Sequence, residues 1–388
     1  MSSFIDIGKC SVNKFGEELC GDNVEIVRLE NYTIVVLADG LGSGVKANIL
    51  SSMTCKIAAT MLKEGVDIYE TIDTLASTLP VCKVRNIAYA TFTILKIYND
   101  GTAYIFEYDN PPIITLNKGK YKGLEKKDLV INDKSVKKTK ISLEEGDSIV
   151  IVSDGAVHAG IGNLLNLGWT WECVKDFVEK VSYKKEAKDM AKSLISVCWE
   201  LYGEKPGDDT TAVVVKFRKS EVVNIFTGPP KDIKNDRTLI YDFMEEDGKK
   251  IICGGTSANI AQRILRKNLE VDMSTLGRDI PPIAVMEGID LVTEGVLTIG
   301  KSIEKIKRYV SEDVEYEYDL FQENNGVDLL CKNLVYDCTH INFFVGRAIN
   351  PAHQNPEFPV HLSIKLNLIN DLVEVLRKIG KEVKVNYY

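Results

Sequence analysis

The stretch Thr33-Ile34-Val35-Val36-Leu37-Ala38-Asp39-Gly40-Leu41-Gly42-Ser43-Gly44 changes character halfway through. Its first six residues are short, apolar and rich in β-branching, which predicts a buried strand. The four positions Ile49, Met53, Ile57 and Met61 recur at helical spacing and predict a helix over 45–63. A carboxylate, Asp39, therefore stands where a hidden strand meets solvent, followed by a glycine-rich turn into a helix. A phosphate-cradling loop at a helix N-terminus is a second reading of the same glycines. The spacing is not G-x-G-x-x-G, however, and the aspartate precedes the glycines.

The pattern recurs along the chain. Asn23 to Val27 pairs with 33–38 across a turn at Glu30-Asn31, and a hairpin of that kind brings Asp22 and Asp39 to one end of a sheet. Ser148 to Ser153 is another apolar strand, ending in Asp154-Gly155. Asp208-Asp209-Thr210-Thr211 opens a third, Ala212 to Phe217. Each Asp-Gly alone is an ordinary turn signal. Together they bring several carboxylates toward one place, where each raises the pKa of the next unless cations are present. Hard divalent ions such as Mg²⁺ and Mn²⁺ take oxygen ligands of this kind. Two such ions can lower the pKa of a bridging water and clamp an in-line displacement at phosphorus.

Bulk composition bounds the alternatives. The 388 residues are enough for two domains, with 45% hydrophobic and 27% charged residues as in an ordinary soluble globular protein. A net charge of −8 argues against a nucleic-acid or anionic-membrane surface. Nine cysteines without a C-x-x-C pair read as reduced, buried thiols in a cytoplasmic protein. The first residues lack the basic and apolar regions of a signal peptide, and no apolar run is long enough to span a bilayer.

Gly21-Asp22, Ala38-Asp39-Gly40-Leu41-Gly42-Ser43-Gly44, Ser153-Asp154-Gly155 and Gly207-Asp208-Asp209-Thr210-Thr211 resemble, in order and spacing, the metal-dependent protein phosphatases (PPM, or type 2C). Within them the sporulation stage II protein E branch is the nearest in form, and Asp109-Asn110-Pro111-Pro112 looks like a loop of that branch. The resemblance covers residues 1–218 and implies an α-β-β-α sandwich with two Mn²⁺ or Mg²⁺ ions in a cleft. It implies hydrolysis of phosphoserine or phosphothreonine on a partner protein by a metal-bound hydroxide, without a phosphoenzyme. Asp39 would bridge the metals and Gly40 would offer its carbonyl to one. Asp154 and Asp208 would hold one ion and Asp22 the other, with Asp209 ranked below Asp208. Asp39, Asp154 and Asp208 are thus the expected catalytic residues.

Two features depart from that family. No arginine lies between Lys14 and Asp22, and Leu41 stands where eukaryotic members carry histidine after Asp-Gly. Lys14 and His158 are nearby candidates for gripping phosphate and for general acid, against the plainer readings of a solvated lysine and a loop histidine. No Cys-x5-Arg signature suggests a thiolate nucleophile.

Past Arg218-Lys219-Ser220-Glu221 the texture changes to alternating strands and helices, a smaller α/β domain over 222–388 that regulates the first or recruits its substrate. The segment 281–298 reads as irregular. Gly254-Gly255-Thr256-Ser257 joins a strand to a helix and is a candidate site for a small anionic ligand, although a plain turn with Thr256 or Ser257 as N-cap is the better reading of so short a motif. His340, His353 and His361 lack metal-ligand spacing. A phosphatase-like fold kept as a binding module, and a separate small-molecule enzyme over 222–388, are the other readings left open. So is an oligomer.

Overall fold

The computed structural model describes residues 3–78, 81–82, 87–88, 90–131, 134–162, 164–184, 186–311, 320–348 and 364–388. His353 and His361 lie outside them. The chain divides into two compact units, the first ending at Lys219 and the second running Ser220–Tyr388.

The first unit contains strands β1 (Ser3–Val12), β2 (Asp22–Arg28) and β3 (Tyr32–Gly40), then helices α1 (Gly44–Lys63) and α2 (Ile68–Thr78). Two short strands β4 (Val81–Cys82) and β5 (Ile87–Ala88) precede β6 (Ala90–Tyr98), β7 (Thr102–Tyr108), β8 (Ile114–Asn117), β9 (Lys120–Tyr121), β10 (Lys127–Ile131) and β11 (Lys134–Ser142). It closes with β12 (Ser148–Val152), α3 (Asp154–Val157), α4 (Trp171–Val181), α5 (Ala187–Leu201) and β13 (Thr210–Lys219). Strands of order β1-β13-β12-β8-β9 form one sheet, and β10-β11-β7-β6-β3-β2 a second.

The sheets share a core. Val35 and Leu37 of β3 meet Leu95, Ile149, Ile151, Val213 and Val215 in one cluster. The alternate residues of β3, Ile34, Val36 and Ala38, pack against Cys55, Ala58 and Leu62 of α1 and Ile72 and Leu75 of α2. Both faces of β3 are covered, so its sequence is a continuous apolar run rather than an alternating one. On the other side α5 packs on β1 and β13, burying Met190, Leu194 and Cys198. The result is an α-β-β-α sandwich.

One expectation about α1 changes. The helix is present, but Ile49 and Met53 are 51% and 45% exposed, and Ala47, Cys55, Ala58 and Ala59 are the buried residues. The reason is close approach: a Cβ added to Gly40 would lie 2.0 Å from the Ala47 carbonyl oxygen. Small side chains let the N-terminal half of the helix come that near, with Ile49 and Met53 pointing away, while Leu62 enters the core further along.

The second unit contains β14 (Val222–Thr227), α6 (Asp236–Glu245), β15 (Lys249–Cys253), α7 (Gly255–Leu265), β16 (Leu269–Asp272), β17 (Ile283–Met286) and β18 (Ile289–Thr293). Then come α8 (Val296–Val310), α9 (Gly326–Val335), β19 (His340–Val345), α10 (Ile364–Lys378) and β20 (Glu382–Tyr387). Its sheet has the order β16-β17-β18-β15-β14-β19-β20, parallel from β18 to β20. Phe226, Ile252 and Phe344 pack with α6 and α7 on one face, while Ile225, Ile251 and Phe343 pack with α8, α9 and α10 on the other. This is a doubly wound α/β layer. The stretch 281–298, expected to be irregular, holds a hairpin turning at Glu287-Gly288 and the central strand β18. Its short strands and glycine punctuation hid a period of two.

Phe343 is fully buried, whereas Val130 is 75% exposed. We expect Phe343→Ala to cost about 3–5 kcal/mol and Val130→Ala to stay within about 0.5 kcal/mol of the parent, both read by chemical denaturation.

Candidate metal centre

Four strand ends meet at one edge of the first unit. The β2–β3 register sets Asp22 opposite Asp39, and the β3–β6 register sets Asp39 opposite Thr91. On the other sheet β12 ends at Val152, paired with Ala212 near the start of β13. The Ser153 N–H donates to the Thr211 carbonyl at 3.0 Å. Asp154 then opens α3, and Asp208 and Asp209 sit just before β13.

The electrostatics show that these carboxylates face one another. Burial first, then the charges of Asp22, Asp154 and Asp208, push Asp39 up to about 10. Burial pushes Asp22 up to about 7, with the charges of Asp209 and Asp154 adding to it and the hydroxyls of Ser153 and Thr211 opposing it. Asp208 is raised by burial and by Asp154, against a lowering pull from the Lys14 ammonium. The structure thus brings Asp22, Asp39, Asp154, Asp208 and Asp209 into one electrostatic cluster.

Hydrogen bonding does not satisfy them. By hydrogen-bond geometry both carboxylate oxygens of Asp22 and Oδ2 of Asp209 are buried without a partner among the described residues: the Ser153 and Thr211 hydroxyls ease the Asp22 charge from nearby, but the Thr211 hydroxyl donates to Ser11 Oγ at 3.0 Å and Ser153 Oγ accepts from the Thr211 N–H at 2.8 Å. Asp209 Oδ1 accepts from the Lys14 backbone N–H at 3.0 Å, and Asp208 Oδ1 accepts from the Asp209 N–H at 3.0 Å. A buried carboxylate left this way is costly unless it is protonated or neutralised by a cation. An all-oxygen donor set with orphaned carboxylate atoms suits a hard divalent ion. Among the described residues, no three His, Cys, Asp or Glu side chains already close around an ion-sized space.

Asn110, from the loop noted in the sequence, and several residues that the sequence did not single out support the cluster. Thr91 Oγ1 donates to Asn110 Oδ1 at 2.6 Å, and Asn110 Nδ2 donates to Thr93 Oγ1 at 3.1 Å. Asn110 thereby pins the strand that runs beside Asp39. Tyr202 donates its phenol to the Gly155 carbonyl at 2.8 Å, fixing the turn at Asp154. Asn48 on α1 donates to the Cys20 carbonyl at 2.8 Å, tying the helix to the loop that leads to Asp22. The Cys20 thiol is pushed up by burial and by Asp22 and Asp209. His158 is exposed and caps α3.

The sign of the pH effect follows from these shifts. Asp22 and Asp39 are raised to about 7 and about 10, above the ordinary carboxylate value of about 4. The folded state then binds more protons than the unfolded state, so their contribution is complete below about pH 4 and is lost as pH rises toward about 10. We expect the melting temperature in EDTA to fall between about pH 5 and about pH 9. Mn²⁺ should remove most of that slope. Asp39→Asn should flatten the slope in EDTA and shrink the stabilisation by Mn²⁺, both read by thermal melting.

A family model described as stage II sporulation protein E (SpoIIE) matches residues 30–218. No curated protein matches the chain. Among solved structures, the phosphatase domain with a fragment of the regulatory domain of SpoIIE from Bacillus subtilis is 20% identical with a TM-score of 0.49, the match covering 56% of this chain and 64% of that one. The RsbU and RsbW domains of a Mycobacterium tuberculosis protein are 15% identical with a TM-score of 0.48, over 62% of this chain and 67% of that one. RsbX in complex with magnesium is 20% identical with a TM-score of 0.40, over 55% of this chain and 95% of that one. The family match and the sandwich fold together mark residues 30–218 as a segment similar to the stage II sporulation protein E family.

Proposed function

We propose that the first unit is a metal-dependent protein serine/threonine phosphatase that hydrolyses phosphoserine or phosphothreonine on a partner protein. The second unit regulates it or recruits its substrate. The observation that carries this reading is the pair of orphaned, buried carboxylate oxygens on Asp22, set opposite Asp39 in a cluster of five aspartates. A purely structural cluster would pair such groups with lysine, arginine or hydrogen-bond donors.

Asp22, Asp39, Asp154, Asp208 and Asp209, with the Gly40 carbonyl, would hold two Mn²⁺ or Mg²⁺ ions. When bound, such ions supply Lewis acidity and a nucleophile at neutral pH. The remaining work falls to the chain. Asp39 ends β3, a strand buried on both faces, so its carboxylate is held without a flexible loop. Asn110 keeps the neighbouring Thr91 in place. Lys14, whose ammonium acts on Asp208, is the cation positioned to attract a phosphate to the edge of the cluster. The second unit offers the turn Gly254-Ser257 for a small anionic ligand through which the protein could be switched.

Asp39→Asn and Asp154→Asn should each lower manganese-dependent hydrolysis of a phosphoserine peptide by well over about 100-fold, more than changes outside the ligand set produce. Circular dichroism should show the fold intact. Full turnover in either variant contradicts the reading. Asn110→Ala acts one step further out, and we expect it to weaken metal affinity by about 10–100-fold, read as a shift in the Mn²⁺ concentration giving half-maximal rate.

A further inference from the structure

In the second unit the chain leaves β14 for α6 on one face, whereas β19 is entered from α8 and α9 and left for α10 on the other. Connections that part to opposite faces open a crevice beyond the strand C-termini, the place where sheets of this kind bind ligands. A cleft of about 790 Å³, counted out to its mouth, is present there.

Its walls carry distinct chemistry. The N-cap of α7 is Gly254, which has no side chain, and no side chain caps the amides of that first turn. They form a positive helix end facing the cleft. At the neighbouring α8 the equivalent amides are covered, since Leu297 and Thr298 donate to Glu294 Oε2 at 2.9 and 3.3 Å. Glu294 also lines the cleft, and a carboxylate is an acceptor for hydroxyls.

The second feature is a lysine. Lys365, in the first turn of α10, lines the cleft and donates from Nζ to the Gly346 carbonyl at 2.6 Å. Gly228 makes room for it: φ there is +78°, and an added Cβ would lie 2.0 Å from the lysine nitrogen. Among the described residues no carboxylate pairs with Lys365, and burial alone pulls its ammonium down to about 8. An anion beside it would raise it again. Val296, Ile299, Ile364 and Leu368 give the cleft an apolar wall.

We propose that this cleft is a nucleotide site, with the phosphate held between the start of α7 and Lys365, a ribose hydroxyl on Glu294 and the base against the apolar wall. The turn Gly254-Gly255-Thr256-Ser257 lacks the G-x-G-x-x-G spacing of dinucleotide sites, and the class proposed is a mononucleotide because one helix end with one lysine, one carboxylate and one apolar wall answer to one phosphate, one ribose and one base. The proposal deepens the reading of the second unit as a ligand-responsive partner of the first and rests on it for its biological sense.

The test is calorimetry on the full chain carrying Asp39→Asn, in EDTA, so that neither the metal centre nor phosphoester hydrolysis affects the result. AMP, ADP, ATP, GMP, GDP, GTP and inorganic phosphate are titrated separately. At least one nucleotide should bind at one site per chain. Lys365→Met and Gly255→Asp should each weaken it by at least about tenfold. An added Cβ at Gly255 meets nothing within 4 Å, and an aspartate suits a helix N-terminus, so that variant should melt no lower than the parent while placing a negative charge where the phosphate sits. The proposal is overturned if no nucleotide binds, if both variants bind unchanged, or if inorganic phosphate binds as tightly as the nucleotides. Binding here with no phosphatase activity in the unmutated protein would contradict the proposed function alone.

Discussion

Repulsion among aspartates at one edge of the first unit is the constraint to which the surrounding architecture answers. Asp22, Asp39 and Asp208 are all displaced toward the protonated form, by burial first and then by neighbouring aspartate charges, with Asp154 acting on all three. The Lys14 ammonium, the hydroxyls of Ser153 and Thr211 and a few backbone amides provide only partial relief. Such an arrangement is stable only with protons or with cations, and at neutral pH cations are the more effective source of positive charge.

The fold contains this charge by rigidity. Asp39 ends a strand whose both faces are packed, between the shared core of two sheets and the helices α1 and α2. Asp22 is fixed to it by strand register, and Asp154 and Asp208 are brought in by the antiparallel pair β12 and β13. Close contact between Gly40 and Ala47 couples the turn after Asp39 to α1. A displacement of that helix would therefore be felt at the turn beside Asp39.

How much of this was legible in the sequence depends on the range of the interactions. The strand ends were readable because an apolar run followed by Asp-Gly is a local signal, and the hairpin that joins Asp22 to Asp39 spans few residues. The buried face of α1 was not, because Ile49 and Met53 mimic a core stripe while the face near Gly40 is made of small residues such as Ala47, and Leu62 is the large residue that enters the core. Strand β18 was missed because five residues between glycines carry too little periodicity to be told from a loop. Asn110 sits in a conspicuous Asn-Pro-Pro loop, yet its partners Thr91 and Thr93 lie on a strand that carries no mark of their role. In the second unit Gly254 to Ser257 was visible as a turn, whereas Lys365 reaches it only through the fold.

The central claim is that the five aspartates form a divalent-metal site. Anomalous X-ray diffraction from crystals soaked in Mn²⁺ tests it most directly. The account predicts two manganese peaks among Asp22, Asp39, Asp154 and Asp208. A soaked crystal with no anomalous density at these carboxylates, or with peaks only elsewhere on the surface, would contradict it.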